Sequence, residues 1–353
     1  MATVSALQTF RYHPLLIDDQ SRKNSKEQLL GIQTEVLPEK MSMNITYPPF
    51  FITQDFIEPE NTFPWNDTSE EYTIGLCCVY IGNTLLGLTA NILVMWAIWP
   101  EVRSSPGLPI YVINLLCAAL LECFILPFGV AYLLHTLAVG PVGCLILGLI
   151  PRVAQKTSTM FVMWIFVVRY VAVSHPLHYK KFCKSWVLGL VSTTLWLMAV
   201  TISIAEQVLP RDNATFCFPD YKITPEWALL HLIISFLFSH LALIHLCILA
   251  YLISRSVKNS DSVPVEQYKR ISRLLVFVVT TFGIFFCPMH IVQEYQNIIM
   301  LLGKASFQTQ QKLHLLYQMM FALNSISVVI APFFYIISSS RVKARLKGLI
   351  KGR

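Results

Sequence analysis

Two basic residues four apart, Arg152 and Lys156, lie inside an apolar stretch. On a helix that spacing puts both on one face. Charges set so deep among apolar residues must face a bundle interior or a watery cavity. The chemistry open to them is capture of an anion, a carboxylate or a phosphate. The competing reading is neutralisation by an internal acid, for which Glu122 and Glu206 are available. Glu122 itself reads either as an acid serving the bundle interior or as a neutral carboxylic acid hydrogen-bonded to a neighbouring helix. Further on, Arg169 precedes Tyr170. Cys144 and Arg169 are about 25 residues apart, roughly 37 Å as one helix, which exceeds the roughly 30 Å hydrocarbon core of a bilayer. One helix can therefore set the cysteine at one membrane face and the arginine at the other.

The elements that must hold these residues are set by composition. Of 353 residues, 55% are hydrophobic and only 13% are charged, against about 25% charged in soluble domains. That deficit indicates an integral, multi-pass membrane protein set in the lipid bilayer. No nucleotide-binding, zinc-finger or metalloprotease pattern occurs, and no Ser-His-Asp or paired-carboxylate arrangement points to catalysis. His231, His240 and His245 form no metal-ligand pattern. The expectation is no enzyme, no cofactor, no metal and no nucleic-acid partner.

Seven apolar segments follow one another near 74–98, 108–134, 144–170, 186–208, 227–254, 270–296 and 313–337. Each is long enough to cross as a helix, and in lipid only helices or closed barrels satisfy their backbone groups. The expected fold is an all-α membrane protein, a seven-transmembrane helix bundle over 74–338. Residues 1–73 form an N-terminal tail without a signal-peptide pattern. Its sequons at Asn44 and Asn66 suggest an extracellular, glycosylated and largely disordered segment. Lys180, Lys181, Lys184, Arg255, Lys258, Lys269 and Arg270 fall on one side of the bundle, as do the basic residues after 340. By the positive-inside rule the C-terminus is cytoplasmic and the N-terminus extracellular. Residues 339–353 read as a basic amphipathic helix on the inner membrane surface. With that sidedness, Cys144 and Cys217 are placed for an external disulfide, the alternative being two free thiols.

Motifs in order along the chain carry a resemblance. They are Gly87-Leu-Thr-Ala-Asn91-Ile-Leu-Val94, Asn114-Leu115 with Leu126-Pro127-Phe128, and Arg169-Tyr170 before His175-Pro176-Leu177. Trp196, Phe282-Gly-Ile-Phe-Phe286-Cys287-Pro288 and Ala331-Pro332-Phe-Phe-Tyr335 complete the set. From about residue 74 to 350 the chain resembles a rhodopsin-like (class A) G-protein-coupled receptor. The resemblance implies coupling to a heterotrimeric G protein around Arg169, Tyr170, Pro176 and Tyr335. It implies a switch at Phe282, Phe286, Pro288 and Pro332, with the two prolines as kinks, and an extracellular ligand of unknown class. The ligand pocket would be lined by Arg152, Lys156, Glu122, His290, Gln293, Tyr317 and Phe321, the aromatics alternatively serving helix packing. Pro288-Met-His290-Ile-Val-Gln293 is similar to the nucleotide and lipid receptor branch, in which an Arg stands where this chain has Gln293. That favours an anionic small molecule or lipid other than a nucleotide.

The departures define an atypical, orphan-type member. Val168 replaces the acid beside the arginine, Ala119 the buried Asp of the second span, and Ala331 the Asn before Pro332. Phe286 stands where the family has Trp, and the fifth span lacks its proline. With alanine at 119 and 331, the family's sodium and water network is not expected to bind sodium. The alternatives to a signalling receptor are a non-coupling or decoy receptor of the same fold and, more remotely, a seven-span transporter or channel.

Overall fold

The computed structural model describes residues 70–104, 107–134, 141–208, 225–258, 265–304 and 306–350. Asn44, Asn66 and Cys217 fall outside them, and with Cys217 the expected disulfide. The described chain is helical throughout, with no strand among the described residues. Among the described residues, seven helices are long and apolar enough to cross a membrane: Glu70–Ser104, Leu108–Ala131, Leu145–Ser174, Ser185–Gln207, Pro225–Lys258, Lys269–Leu301 and Lys312–Ile336. They are called spans one to seven below. Large apolar side chains project from them in the open, among them Leu85, Leu86, Trp96, Leu197 and Val276. Water would not tolerate so much exposed apolar surface, whereas lipid chains solvate it.

The spans close into a ring in which the third touches the second, fourth and fifth, and the seventh returns to the first. Small residues and amides hold the ring, as lipid-embedded helices require when burial from water cannot. Gly87 lets span one approach span two so closely that a Cβ there would lie 2.6 Å from Cys123 Sγ. Asn114 Oδ1 accepts a 2.9 Å bond from Trp196 Nε1, joining spans two and four. Asn83 Nδ2 donates to Ser325 Oγ at 2.7 Å, joining spans one and seven. Asn91 has a more specific task. Pro332 has no N–H, so the carbonyl of Val328, one turn earlier, loses its helical donor. Asn91 Nδ2 supplies that donor at 3.0 Å, while also bonding Gly87 O at 2.8 Å.

Four local outcomes differ from expectation. Span one continues as helix through Pro100 to Ser104 rather than ending near 98. Pro176, which lies between the apolar segments 144–170 and 186–208, begins a seven-residue helix, Pro176–Phe182, since proline is pre-set for a helix's first turn. Span seven is irregular not at Pro332 but at Ile326, where the helix Phe307–Ser325 ends and Ser327–Ser338 begins. Ile326 N donates to Leu323 O at 3.2 Å, one residue short of α-helical spacing. Spans five and six each contain a π-helical turn, Leu237–Leu241 and Phe282–Phe286. The first needs no proline. The second lies just before Pro288.

After span seven, Ser339 caps a helix over Ser340–Ile350, its Oγ accepting from Val342 N at 3.3 Å. Val342 is fully buried against the bundle, while Arg341, Lys343 and Lys347 stand exposed.

Candidate functional site

Spans three to seven enclose a cavity lined by Arg152, Lys156, Glu206, His290, Gln293 and Tyr317, with Gln155, His231, Ser235, Phe238, Phe286 and Met289. Helix geometry brings the basic pair here. Arg152 and Lys156 occupy one face of span three, which is turned inward. The two have separate fates. Lys156 Nζ lies 2.6 Å from Glu206 Oε2, and both side chains are buried, at 10% and 2% exposure. Its ammonium also stands 5.8 Å from the ring of Phe238. Arg152 bonds only neutral acceptors among the described residues: Gly148 O, one turn back, and Gln207 Oε1 on span four. Of the two acids available to the pair, Glu206 takes Lys156. Glu122 takes neither, and lies in another cavity.

The wall formed by spans five and six is polar. His231 is held from two sides, by Gln293 Nε2 at 3.1 Å and Asn297 Nδ2 at 3.2 Å. Trp227 stacks on it at 4.6 Å and donates its Nε1 to Glu206 O at 2.8 Å. Ser235 Oγ and His290 Nδ1 are 3.0 Å apart. His290 Nε2 is buried with no hydrogen-bond partner among the described residues, which leaves it open to a water or a ligand. Outside this wall, His240 Nδ1 approaches Glu294 Oε1 at 3.3 Å, and Ser239 Oγ donates to the same oxygen at 3.2 Å.

Phe286 and Gln155 also line a second cavity deeper in the bundle, of about 70 Å³, with Glu122, Ala119, Thr281, Phe282, Asn324 and Ala331. That is room for several waters. Glu122 Oε1 and Asn324 Oδ1 are buried with no hydrogen-bond partner among the described residues. Around Ala119 the family's buried acid gives way to apolar packing with Cys123, Val328 and Leu88. An aromatic stack joins the two cavities, with Phe282 on Phe286 and Phe286 on His290, each at 4.6 Å between centroids. Phe321, expected in the ligand pocket, lines neither cavity. It packs edge-on against Tyr80 at 6.2 Å, in the cluster that joins spans one, two and seven. Spacing placed it on the same face as Tyr317, but its turn of span seven points to span one.

At the other end of the bundle Arg169 is half-buried, and Val168 beside it is buried in the apolar core. Arg169 lies within electrostatic reach of Tyr335 and Tyr179. Tyr170 packs edge-on to His175 at 6.1 Å. Pro176 is exposed at the head of its short helix. Tyr335 is buried, and its Oη donates to Glu101 Oε2 at 2.8 Å. Sequence reasoning missed Glu101, because Pro100 was taken to end span one before it. An acid next to a helix end that also carries Arg103 was the available signal.

Residues 90–335 match the family "7 transmembrane receptor (rhodopsin family)". Among curated proteins, the chain is similar to G-protein coupled receptor 68 of Homo sapiens, 27% identical over 281 residues and 76% of each chain. It is similar also to probable G-protein coupled receptor 132 of Mus musculus, 26% identical over 310 residues, 80% of this chain and 75% of that one. The matched region holds spans two to six whole, the end of span one from Ala90, and span seven as far as Tyr335. The chain belongs to the rhodopsin family of seven-transmembrane receptors, and is a multi-pass G-protein-coupled receptor rather than an enzyme.

Proposed function

We propose that this receptor responds to an extracellular ligand bearing an anionic group, which Arg152 holds, and passes the signal to a heterotrimeric G protein at the Arg169 end. The supporting observation is the unequal treatment of the two cations: Glu206 neutralises Lys156, whereas Arg152 has only neutral partners among the described residues. The first cavity thus keeps a positive charge in a poorly solvated place, where a carboxylate, phosphate or sulfate would bind by charge-assisted hydrogen bonds. His290 Nε2 offers that ligand a second polar contact. Met289, Phe238 and Phe286 offer it apolar surface.

The bias of lysine and arginine puts the Arg169 end in the cytoplasm and the Cys144 end outside. The N-terminal segment is then extracellular, with glycans on Asn44 and Asn66, and the Cys144–Cys217 disulfide ties the following loop over the ligand mouth. A ligand that touches Phe286 or His290 pushes on the stack that reaches Phe282 and the π-turn of span six. Binding must favour one packing of the spans over another to have any effect.

The test is G-protein activation in cells challenged with carboxylate, phosphate and sulfate amphiphiles. Arg152→Gln should lower the potency of an active anion about tenfold or more, and Arg169→Ala should abolish signalling at unchanged surface expression. Activation by neutral or cationic compounds that is indifferent to Arg152→Gln would refute the ligand class. Uptake of ligand with no activation under any condition would favour a decoy receptor.

A further inference from the structure

Glu101 lies at the Arg169 end of the bundle, and it is committed on both oxygens. Oε2 accepts from Tyr335 Oη at 2.8 Å, and Oε1 accepts from Ser339 Oγ at 3.0 Å. The carboxylate is buried, at 9% exposure. Ser339 is the hinge residue between span seven and the C-terminal helix, extended in backbone (φ −111°, ψ 114°). It caps that helix through Val342 N. A third link crosses the same joint: Arg345 Nη1 donates to Ala97 O at 2.6 Å, one turn before Glu101. One carboxylate on span one therefore fixes the end of span seven and the start of the surface helix together.

The structure holds the Tyr335 hydroxyl on the carboxylate of Glu101, at the end of the bundle where Arg169 also lies. Tyr170, Val173 and Phe334 pack in one apolar cluster with Ile253, Val257, Leu274 and Leu275, which brings spans three, five, six and seven together at that end. Ser174 Oγ donates to Ser256 Oγ at 2.8 Å across the same seam. The Glu101 contacts thus belong to a packing in which these spans meet.

We propose that Glu101 is a positioning residue that latches Tyr335 and the span seven–surface helix joint to span one, and that coupling to the G protein requires this latch to open. The inference rests on reading the Arg169 end as the coupling face. Charge-assisted bonds to a buried carboxylate are the strong kind, so losing them shifts the balance between closed and open packings appreciably.

The experiment uses the full chain at matched surface density, with Glu101→Gln, Tyr335→Phe and the pair of changes. Ligand-independent nucleotide exchange is read on G proteins of each major class. Glu101→Gln should raise it about threefold or more. Adding Tyr335→Phe should contribute little further, because the bond from Tyr335 to Glu101 is the one the two changes share. Unchanged or lower exchange from a well-expressed Glu101→Gln, or additive effects of the two changes, would overturn the latch. Hydrogen exchange of the purified receptor in lipid nanodiscs tests it without any G protein. Peptides spanning 335–350 should exchange about fivefold faster in Glu101→Gln and in Ser339→Ala, with those of spans three to six unaltered. Equal protection in all three proteins would overturn it as well. If Arg169→Ala leaves coupling intact while Glu101→Gln still loosens 335–350, the coupling face has been misplaced and the latch stands.

Discussion

Glu206→Gln is the sharpest probe of the ligand cavity, because two opposite effects follow from one lost charge. The change is nearly isosteric and leaves the backbone bond from Trp227 Nε1 to Glu206 O in place. What disappears is the counter-charge 2.6 Å from Lys156 Nζ, in a site where both side chains are at most 10% exposed. Removing one partner of such a pair strands the other, at a cost of about 3–5 kcal/mol. For a domain of this size that lowers the melting temperature on the order of 10 °C. Replacing both partners, Lys156→Met with Glu206→Leu, removes the stranded charge and should return stability to within about 1 kcal/mol of the parent. At the same time Glu206→Gln leaves two uncompensated cations in the cavity. Anionic ligands should then bind about tenfold more tightly, a gain of about 1.4 kcal/mol, and stabilise the variant more than the parent. The assays are thermal unfolding of purified receptor in nanodiscs, with and without an anionic amphiphile, and the corresponding competition binding. If the single and double variants melt alike, and anions discriminate neither from the parent, Lys156 does not depend on Glu206 and the charge argument for Arg152 fails with it.

Other expectations are more local. Asn91→Ala removes the donor that replaces the missing N–H of Pro332, and should cost about 1–3 kcal/mol for the orphaned carbonyl; Pro332→Ala in the same background restores an N–H and should recover part of the melting temperature. Gly87→Ala drives a methyl group against Cys123 Sγ and should cost about 1–3 kcal/mol, while Gly87→Ala with Cys123→Ala should melt closer to the parent. Ser306→Ala deletes the cap that accepts from Thr309 N and should cost about 1 kcal/mol; it is measured as faster hydrogen exchange confined to the first turn of Phe307–Ser325.

The seven spans were legible because a bilayer imposes length and apolarity on each crossing independently, with no need to know its neighbours. Arg152 and Lys156 could be assigned to one inward face for the same local reason. What the face meets was another matter. Glu206 and Glu122 were equal candidates until the ring brought one of them to Lys156, since pairing is decided by which helices touch. Phe321 shows the same limit: spacing fixes a shared face with Tyr317, and only the ring shows its packing against Tyr80 of span one, the helix-packing alternative weighed for it. Pro100 misled because its missing bond was read as the end of the span, whereas the helix continues to Ser104. At Pro332 an asparagine from span one replaces the missing donor. Nothing in the local pattern announced the π-helical turns, whose residues are as apolar as the helices around them.

Those two turns have a consequence for what the chain can tolerate. Each acts as one residue inserted into a helix. Above them spans five and six meet through polar pairs, His231 with Gln293 and Asn297, and Ser235 with His290. Below them the same spans meet through Leu246, Leu249 and Ile253 against Leu274, Leu275 and Val278. Deleting one residue from a turn would leave a helix still apolar and long enough to cross, but would swing one half against the other by about 100°. His231 or His290 would then face lipid, while every composition-based test of the span would still be satisfied. A relative that lacks one turn must therefore carry its pocket residues one position away, and an ungapped comparison of the two chains would pair the wrong side chains throughout the ligand-facing half.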